Sequence, residues 1–400
     1  MSKNNNISKV ATDLVGQPMF TIMKKVLKIE KLGKKINHFE LGDPDFEAPK
    51  NVVEAIQKAM VDGHTHYSPS SGLPAFREAI KFNLENEFNL KCDYEQIVVT
   101  PGANSGIYWT IKCLVNEGEE VLIPDPGFPT FYAAAKASLA KVKRYRLLDS
   151  NNFLPDLDEI KNLITDKTRL IIINSPSNPI GSIIPNHILS EIYELAVKKN
   201  IYILSDDVYR RLSFNSDYAP SITSIDECKN ITIMLGSLSK EYSMTGFRLG
   251  YLVGPKKIIE KIGIYIETVN SCVAPFLQIG GIEALLGSQD YRKEIFIKLK
   301  ERRNMMVNGL NQISNISCHL SEGGLYVFPK ISNTGMDGSK FFELMLNSAK
   351  IACVPGVMFG DSGKNHVRMS LNADLNLIQK SLEQIDLSLK EILFDKNKYK

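Results

Sequence analysis

The hydrophobic positions of the chain follow two alternating spacings. Helical spacing predicts helices over 53–60, 105–115 and 187–198. Short apolar runs predict strands over 97–100, 121–123, 170–173, 201–205, 231–235 and 248–253. Such strands, separated by helices, are typical of a parallel sheet that is covered by helices on both faces. The pattern therefore predicts an α/β fold.

The last quarter of the chain has a different pattern. Long amphipathic helices are predicted over 291–313, 340–349 and 375–393, with strands over 324–329 and 366–371. This order predicts a smaller α+β domain. We expect three parts: an N-terminal segment over 1–50 that packs with the small domain, a large domain over 51–290 and a small domain over 291–400.

Composition narrows the function classes. The 400 residues are 44% hydrophobic and 23% charged, which excludes a disordered chain or a coiled coil. A net charge of +3 with scattered lysines gives no reason to expect nucleic acid as a partner. Six cysteines without a C-x-x-C pair, no apolar N-terminal run and no apolar stretch of membrane length predict a cytoplasmic protein. No metal site is expected, since His64 and His66 have no cluster of carboxylates or cysteines nearby.

Polar and small residues follow the predicted strands, at the edge where open parallel sheets bind ligands. The turn over 101–105 opens a helix and is typical of a phosphate site, although a plain strand-to-helix turn has the same composition. Phe128 is either a packing residue or a flat surface for a ring. Asn178 is either a turn residue or a ligand, and Asp206 and Asp207 are either buried carboxylates or helix caps.

The loop over 236–250 carries the strongest signal, with Ser237, Ser239, Lys240 and Arg248 among small and apolar residues. A lysine in such surroundings has the lowered pKa that Schiff-base chemistry requires. The spacing does not match a P-loop. Together, the loops offer a phosphate cradle, a ring face, an amide, a phenol, a carboxylate and a lysine, a set that fits pyridoxal 5′-phosphate (PLP).

From about residue 39 to residue 371 the chain resembles the class I/II aminotransferases of the fold-type I PLP-dependent enzymes. The matching stretches are 41–46, 67–72, 174–181, 205–209, 237–250 and 367–370. The resemblance implies a large domain with a mainly parallel sheet flanked by helices, plus a smaller α+β domain. It also implies an aminotransferase that moves an amino group between an amino acid and a 2-oxo acid, and a homodimer with shared active sites.

The resemblance also assigns roles to individual residues. Lys240 is expected to form the Schiff base and to move the substrate α-proton, with Asp206 at the pyridine nitrogen and Tyr209 at the phenolic oxygen. Further cofactor contacts are expected from Ala103, Asn104, Phe128, Asn178, Ser237, Ser239, Arg248 and the Tyr67 of the neighbouring subunit. The substrate α-carboxylate is expected to meet Arg368, Gly42 and Asn178.

Two stretches depart from the common family pattern and leave alternatives open. Arg210 and Arg211 follow Tyr209, and they are either a solvated helix face or, if they point inward, a site for an acidic or phosphorylated side chain. The loop over 270–275 is also altered. These departures keep open a PLP-dependent decarboxylase or lyase acting on a substrate such as O-phosphoserine. A PLP-binding transcription regulator is not expected, because only about forty residues precede Leu41.

Overall fold

The computed structural model describes residues 7–14 and 16–398. Its strands are β1 Asn37–His38, β2 Ile97–Thr100, β3 Glu120–Asp125, β4 Lys141–Arg146, β5 Thr168–Asn174, β6 Tyr202–Asp206, β7 Thr232–Ser237, β8 Gly250–Val253, β9 Tyr326–Val327, β10 Ile351–Ala352, β11 Val354–Pro355 and β12 Val367–Ser370. Its helices are α1 Lys9–Asp13, α2 Pro18–Glu30, α3 Lys50–Val61, α4 Pro74–Phe88, α5 Ala103–Leu114, α6 Pro129–Ala137, α7 Leu157–Leu163, α8 Asn186–Lys199, α9 Thr223–Asp226, α10 Lys256–Asn270, α11 Pro275–Leu286, α12 Asp290–Gln312, α13 Gly338–Leu344 and α14 Leu375–Lys398. No helix within these described ranges has a stretch long and apolar enough to span a bilayer.

A seven-stranded sheet forms the centre of the fold, in the order β2-β8-β7-β6-β5-β3-β4. All its strands run in one direction except β8, which is antiparallel to both β2 and β7. The sheet is therefore mainly parallel, and the expectation of parallel pairing was wrong for β8. Strand β4 was not predicted, because its lysines and arginines hide the apolar alternation. Such charges are usual on a strand at the edge of a sheet.

The central strands are buried on both faces, as the runs of branched apolar residues predicted. On one face, Ile172 and Leu204 belong to a core cluster with Ile107 of α5. On the other face, Ile171 and Ile203 belong to a core cluster that includes residues of α8. Side chains of successive strand residues point to opposite faces, so each strand contributes to both clusters.

The chain from α12 onward builds a smaller layer that shares a core cluster with one face of the large sheet. Strands β11, β12 and β9 form an antiparallel sheet, and α12 packs against the terminal helix α14. Strand β1 pairs in parallel with β10, which attaches the N-terminal segment to this part. Helix α13 ends at Leu344 and continues as a π-helical turn, Met345–Ala349. The domain boundaries near residues 50 and 290 stay a prediction, and residues 1–6 and 399–400 lie outside the described ranges.

Candidate functional site

A pocket of about 430 Å³ lies where the carboxyl ends of the strands meet the smaller layer. Because β2, β3, β5, β6 and β7 run in the same direction, the loops that follow them open at one edge of the sheet. The pocket collects all but one of the predicted site residues, namely Gly42, Ala103, Asn104, Phe128, Asn178, Asp206, Tyr209, Ser237, Ser239, Lys240, Arg248 and Arg368. The exception, Tyr67, is 87% exposed on the surface.

Lys240 lies just beyond the end of β7 with its amine at the pocket. Its Nζ donates a hydrogen bond to the carbonyl oxygen of Gly42 at 2.6 Å, and no carboxylate within the described ranges forms an ion pair with it. Burial lowers the pKa of this amine, and the positive charges of Arg368 and Arg248 lower it further, while Tyr326 and Asp43 act in the opposite direction. A lowered pKa makes the neutral, nucleophilic amine more accessible.

Asp206 is the last residue of β6 and is buried. Burial raises the pKa of its carboxyl to about 7, and the neighbouring carboxylate of Asp207 acts in the same direction. The backbone N–H of Val208 donates to its Oδ1 at 3.2 Å. No cation among residues 7–14 and 16–398 pairs with it. A cation that binds in the pocket beside this carboxyl would favour its ionised form.

Asn178 and Arg368 meet at a second wall of the pocket. Arg368 is 1% exposed, and its Nη1 donates to Oδ1 of Asn178 at 3.2 Å, while its Nη2 donates to the carbonyl oxygen of Glu40. Both acceptors are neutral, and the Nε of Arg368 has no partner within the described part of the chain. Burial lowers the pKa of this guanidinium. It is a planar donor fork with free capacity for a carboxylate.

A third wall is built from the beginning of α5 and the loop before β8. The N–H groups in the first turn of a helix lack intrahelical acceptors, so those of Ala103 and Asn104 are available to an anion. Arg248 approaches so closely that a β-carbon at position 102 would lie 2.2 Å from its Nη2, and Gly102 has a φ of +77°. Ser237 and Ser239 add two hydroxyl groups. These groups can hold a phosphate.

The donor set fits PLP. The cofactor carries a phosphate, a phenolic oxygen, an aldehyde and a basic ring nitrogen. The pocket offers free N–H groups with Arg248, the phenol of Tyr209, the amine of Lys240 and the uncompensated carboxylate of Asp206. Phe128 lines the same space and packs edge-on against Phe131 at 5.7 Å between ring centroids.

The surroundings of Arg210 and Arg211 match neither a solvated helix face nor a substrate site in the pocket. Arg210 is 1% exposed and donates to Thr223 and Ser224 at 3.0 and 2.9 Å, beside Asp207 at 3.5 Å. Arg211 is 8% exposed. It forms ion pairs with Glu87 and with Glu241, the latter at 2.8 Å. Neither arginine is on a solvated face, and neither lines the pocket. Both point into the protein, so they give no reason to expect an acidic or phosphorylated substrate.

Several pocket residues were missed by the sequence analysis. The loop over 270–275 does not line the pocket within this chain, whereas Gln17, Met19, Asp43, Thr245 and Tyr326 do. Tyr326 lies in strand β9, where an aromatic residue is ordinary, so its type carried no signal. Asp43 and Thr245 are distant in sequence, and their hydrogen bond at 2.6 Å exists only in the folded chain.

Comparison with known proteins gives one consistent result. The family described as Aminotransferase class I and II matches residues 34–385. The aspartate aminotransferase of Pyrococcus horikoshii is 36% identical over 378 residues, covering 90% of this chain and 96% of that protein. The aromatic-amino-acid aminotransferase 2 of Thermococcus litoralis is 32% identical over 354 residues, covering 88% and 91% respectively.

Solved structures agree with the sequence relatives. The structure of an alanine aminotransferase from Pyrococcus furiosus superposes with a TM-score of 0.91 at 29% identity, covering 96% of this chain and all of that chain. None of these comparisons favours a decarboxylase or lyase. The resemblance stated from the motifs is confirmed: the chain belongs to the class I and II aminotransferases and is a PLP-dependent enzyme that transfers amino groups.

Proposed function

We propose that Lys240, Asp206 and Tyr209 perform the chemistry of amino-group transfer in this pocket. Lys240 would hold the cofactor through its amine and then, once free, carry the α-proton of the substrate. Asp206 would keep the ring nitrogen protonated, because an adjacent cation favours its ionised form. The bound cofactor supplies a ring that accepts electron density from the substrate carbon. The observation that carries this proposal is the convergence of three incompletely compensated charges, Lys240, Asp206 and Arg368, on one cavity.

The remaining contacts position the two ligands. Arg368 would bind the substrate α-carboxylate, with Asn178 and the backbone of Gly42 beside it. Asn178 and Tyr209 would donate to the phenolic oxygen, and Phe128 would stack on the ring. The phosphate would be held by Ser237, Ser239, Arg248 and the N–H groups of Ala103 and Asn104, where the positive end of the α5 dipole adds to the charge of Arg248.

The amino donor is the part that the relatives leave open, since their names include aspartate, aromatic amino acid and alanine aminotransferases. The cationic residues that line the pocket within the described chain are Lys240, Arg248 and Arg368. All three are used by the cofactor or by the α-carboxylate in this proposal. The pocket lining also includes the apolar residues Met19, Phe20, Leu41 and Ile107, and we expect the donor side chain to lie against them.

A single-turnover experiment tests the reaction. The PLP-loaded protein is mixed with glutamate, aspartate, alanine, tyrosine or O-phosphoserine, one at a time and without any oxo acid. We expect one equivalent of 2-oxo acid per active site from at least one donor, with no further release. Continuous consumption of the amino acid with release of CO2 or ammonia would contradict amino-group transfer.

We further infer a homodimer with shared sites. Tyr67 is 87% exposed, and four apolar residues at the end of α3 and in α10 are at least 49% exposed, namely Met60, Val61, Ile264 and Val269. Ser70 donates to Glu267 at 3.3 Å, which joins the loop of Tyr67 to α10. Tyr67→Phe and Lys240→Ala should each lose activity alone. Mixed dimers should recover it, because each mutant supplies what the other lacks. Absence of recovery in a verified mixed dimer would contradict the sharing.

We also propose a cytoplasmic location. The six cysteines are all free in the structure, as expected for a reducing compartment. Fractionation of the producing cells with a compartment marker tests this location. The protein is expected with the cytoplasmic marker, and recovery with an exported marker would contradict the proposal.

A further inference from the structure

Tyr326 lies among several of the proposed functional residues, although no sequence motif predicted a role for it. It lies in β9, is 2% exposed, and lines the pocket. Its hydroxyl is packed against Gly42, where a β-carbon would lie 1.8 Å from that oxygen. The carbonyl oxygen of the same Gly42 accepts the hydrogen bond from Lys240. Any side chain at position 42 would thus displace Tyr326.

The hydroxyl groups of Tyr326 and Tyr209 form a hydrogen bond at 3.0 Å, and their rings pack edge to face. Burial raises the pKa of Tyr209 well above its ordinary value, and the neighbouring Tyr326 raises it further. Tyr209 therefore keeps its proton over the working pH range. Either hydroxyl can be the donor in this pair. A phenol has one proton to donate, so while this hydrogen bond is kept Tyr209 can donate to a ligand only if Tyr326 donates to Tyr209.

The ring of Tyr326 makes a second, separate contact. The guanidinium carbon of Arg368 lies 4.3 Å from the centroid of this ring and 4.9 Å from that of Phe359. Aromatic rings attract a cation and restrict the plane of a guanidinium. The donor fork of Arg368 is thus oriented by these rings as well as by its hydrogen bonds to Asn178 and Glu40.

We propose that Tyr326 is a positioning residue that acts through two neighbours: its hydroxyl directs the proton of Tyr209 toward the cofactor, and its ring holds Arg368 in the plane that grips the substrate carboxylate. This inference rests on the proposed roles of Tyr209 and Arg368. The contributions of the hydroxyl and of the ring can be tested separately, because Tyr326→Phe removes only the hydroxyl while Tyr326→Leu removes the ring as well.

The hydroxyl is tested by a pH titration of the visible absorbance of the PLP-loaded protein. A donor to the phenolic oxygen stabilises its anionic form, so a weaker donor raises the midpoint at which the chromophore loses its proton. Tyr209→Phe should raise this midpoint by about one pH unit or more, and Tyr326→Phe by about half a unit. In the Tyr209→Phe background, Tyr326→Phe should add no shift, since the group through which it acts is gone.

The titration distinguishes the proposed role of Tyr209 at the phenolic oxygen from the proposed role of Tyr326, which acts through Tyr209. If Tyr209→Phe moves the midpoint and Tyr326→Phe does not, or if the shifts of the two variants add in full, Tyr326 does not act through Tyr209. If Tyr209→Phe itself leaves the midpoint unchanged, the proposed role of Tyr209 fails, and the hydroxyl half of this inference fails with it.

The ring is tested by binding of an amino acid that cannot react. The 2-methyl analogue of the fastest donor retains the α-carboxylate but lacks the α-hydrogen, and its binding is followed by cofactor absorbance. Tyr326→Phe should leave the dissociation constant within about twofold, while Tyr326→Leu should raise it about tenfold. Wild-type affinity in Tyr326→Leu would overturn the proposal that the ring of Tyr326 orients Arg368.

A matched control excludes a general effect of losing a buried tyrosine hydroxyl. Tyr145 is 1% exposed, does not line the pocket, and donates to the carbonyl oxygen of Ile172 at 2.8 Å. Tyr145→Phe should leave both the titration midpoint and the dissociation constant unchanged. A shift as large as that of Tyr326→Phe would show that the effect is not specific to Tyr326, and it would overturn the proposal.

Discussion

Two buried groups of charged residues lie next to each other at the end of strand β6. They differ in whether each charge has a partner of opposite charge. Asp206 belongs to the pocket, where no cation within the described ranges pairs with it. The next residue, Asp207, accepts hydrogen bonds from Ser205 at 2.5 Å and Thr223 at 3.4 Å, and lies 3.5 Å from Arg210. Burial raises the pKa of both carboxyls, but only Asp207 has partners that lower it through their charge and side-chain hydrogen bonds.

The network beyond Asp207 continues this contrast. Arg211 is paired with Glu87 and Glu241, and Arg292 pairs with Glu87 at 2.9 Å. Burial raises the pKa of Glu87, but the two arginines outweigh this effect and hold the pKa at about 2. Buried charges that have a partner of opposite charge inside the chain are part of the structure. Buried charges that are left without partners indicate a ligand.

The largest effect is expected from Lys240→Ala. Without the amine, activity should fall about 10⁴-fold or more, since both the covalent attachment and the proton carrier are lost. Stability of the cofactor-free protein should not decrease, because the substitution removes a partly buried amine that no carboxylate within the described ranges pairs with. Activity assays and denaturant unfolding measure the two effects. Lys240→Arg is the control that keeps a charge and should be equally inactive.

Arg211→Met, in the network of paired charges beyond Asp207, should lower stability and leave activity unchanged, the opposite of Lys240→Ala. The carboxylate of Glu241 would lose its partner at 2.8 Å, which should lower the free energy of unfolding by about 3–5 kcal/mol. The folded fraction should keep its activity per bound cofactor. Adding Glu241→Gln should restore part of the stability, since it removes the unpaired charge. Loss of activity at unchanged stability would place Arg211 in the site.

A pH-dependent effect is expected from Asp206→Asn. The pKa of Asp206 rises from an ordinary value of 3.8 to about 7 on folding, so its ionisation favours the unfolded state. The cofactor-free wild type should lose stability relative to Asp206→Asn as pH rises from about 4 to about 7, by up to about 4 kcal/mol. Above pH 7 the difference should stay constant. Urea unfolding at several pH values measures it, and a pH-independent difference would contradict the uncompensated charge.

The smallest effect is expected from Arg368→Lys, which keeps the charge but loses the donor fork. Carboxylate binding should weaken by about 2 kcal/mol, roughly a thirtyfold rise in KM. The value of kcat should change less than KM. Steady-state kinetics with the donor found in the single-turnover experiment measures this split. An unchanged KM would show that Arg368 is not the carboxylate anchor.

Much of the fold could be predicted because its signals are local. The apolar runs before Asn174, Asp206 and Ser237 are continuous, since strands of a parallel sheet are buried on both faces. Strand β4 was missed because it is an edge strand with charges, and the reversed direction of β8 has no sequence signature. Direction is decided by which strands become neighbours, and a local pattern does not contain that information.

The candidate site divides in the same way. Lys240, Asp206, Tyr209 and Arg368 were predicted from their motifs and from the family resemblance, and the structure brings all four to one pocket. Tyr326 was missed because its function depends on two neighbours, Tyr209 and Arg368, that are distant along the chain. The interpretation of Arg210 and Arg211 as a solvated helix face was wrong for a related reason, since charged residues are rarely buried and the partners of Arg211, Glu87 and Glu241, come from other segments.

The amino-acid sequence was enough to predict the class of fold and the cofactor, because buried periodicity and the motifs of the loops are local properties of the chain, and the roles of individual residues stay a proposal. Only the tertiary structure decided which charges are compensated. Asp206 and Asp207 are neighbours of the same type, yet one lies in an open cavity and the other beside Arg210. The physical reason is that desolvation and ion pairing depend on groups that folding brings together from distant segments.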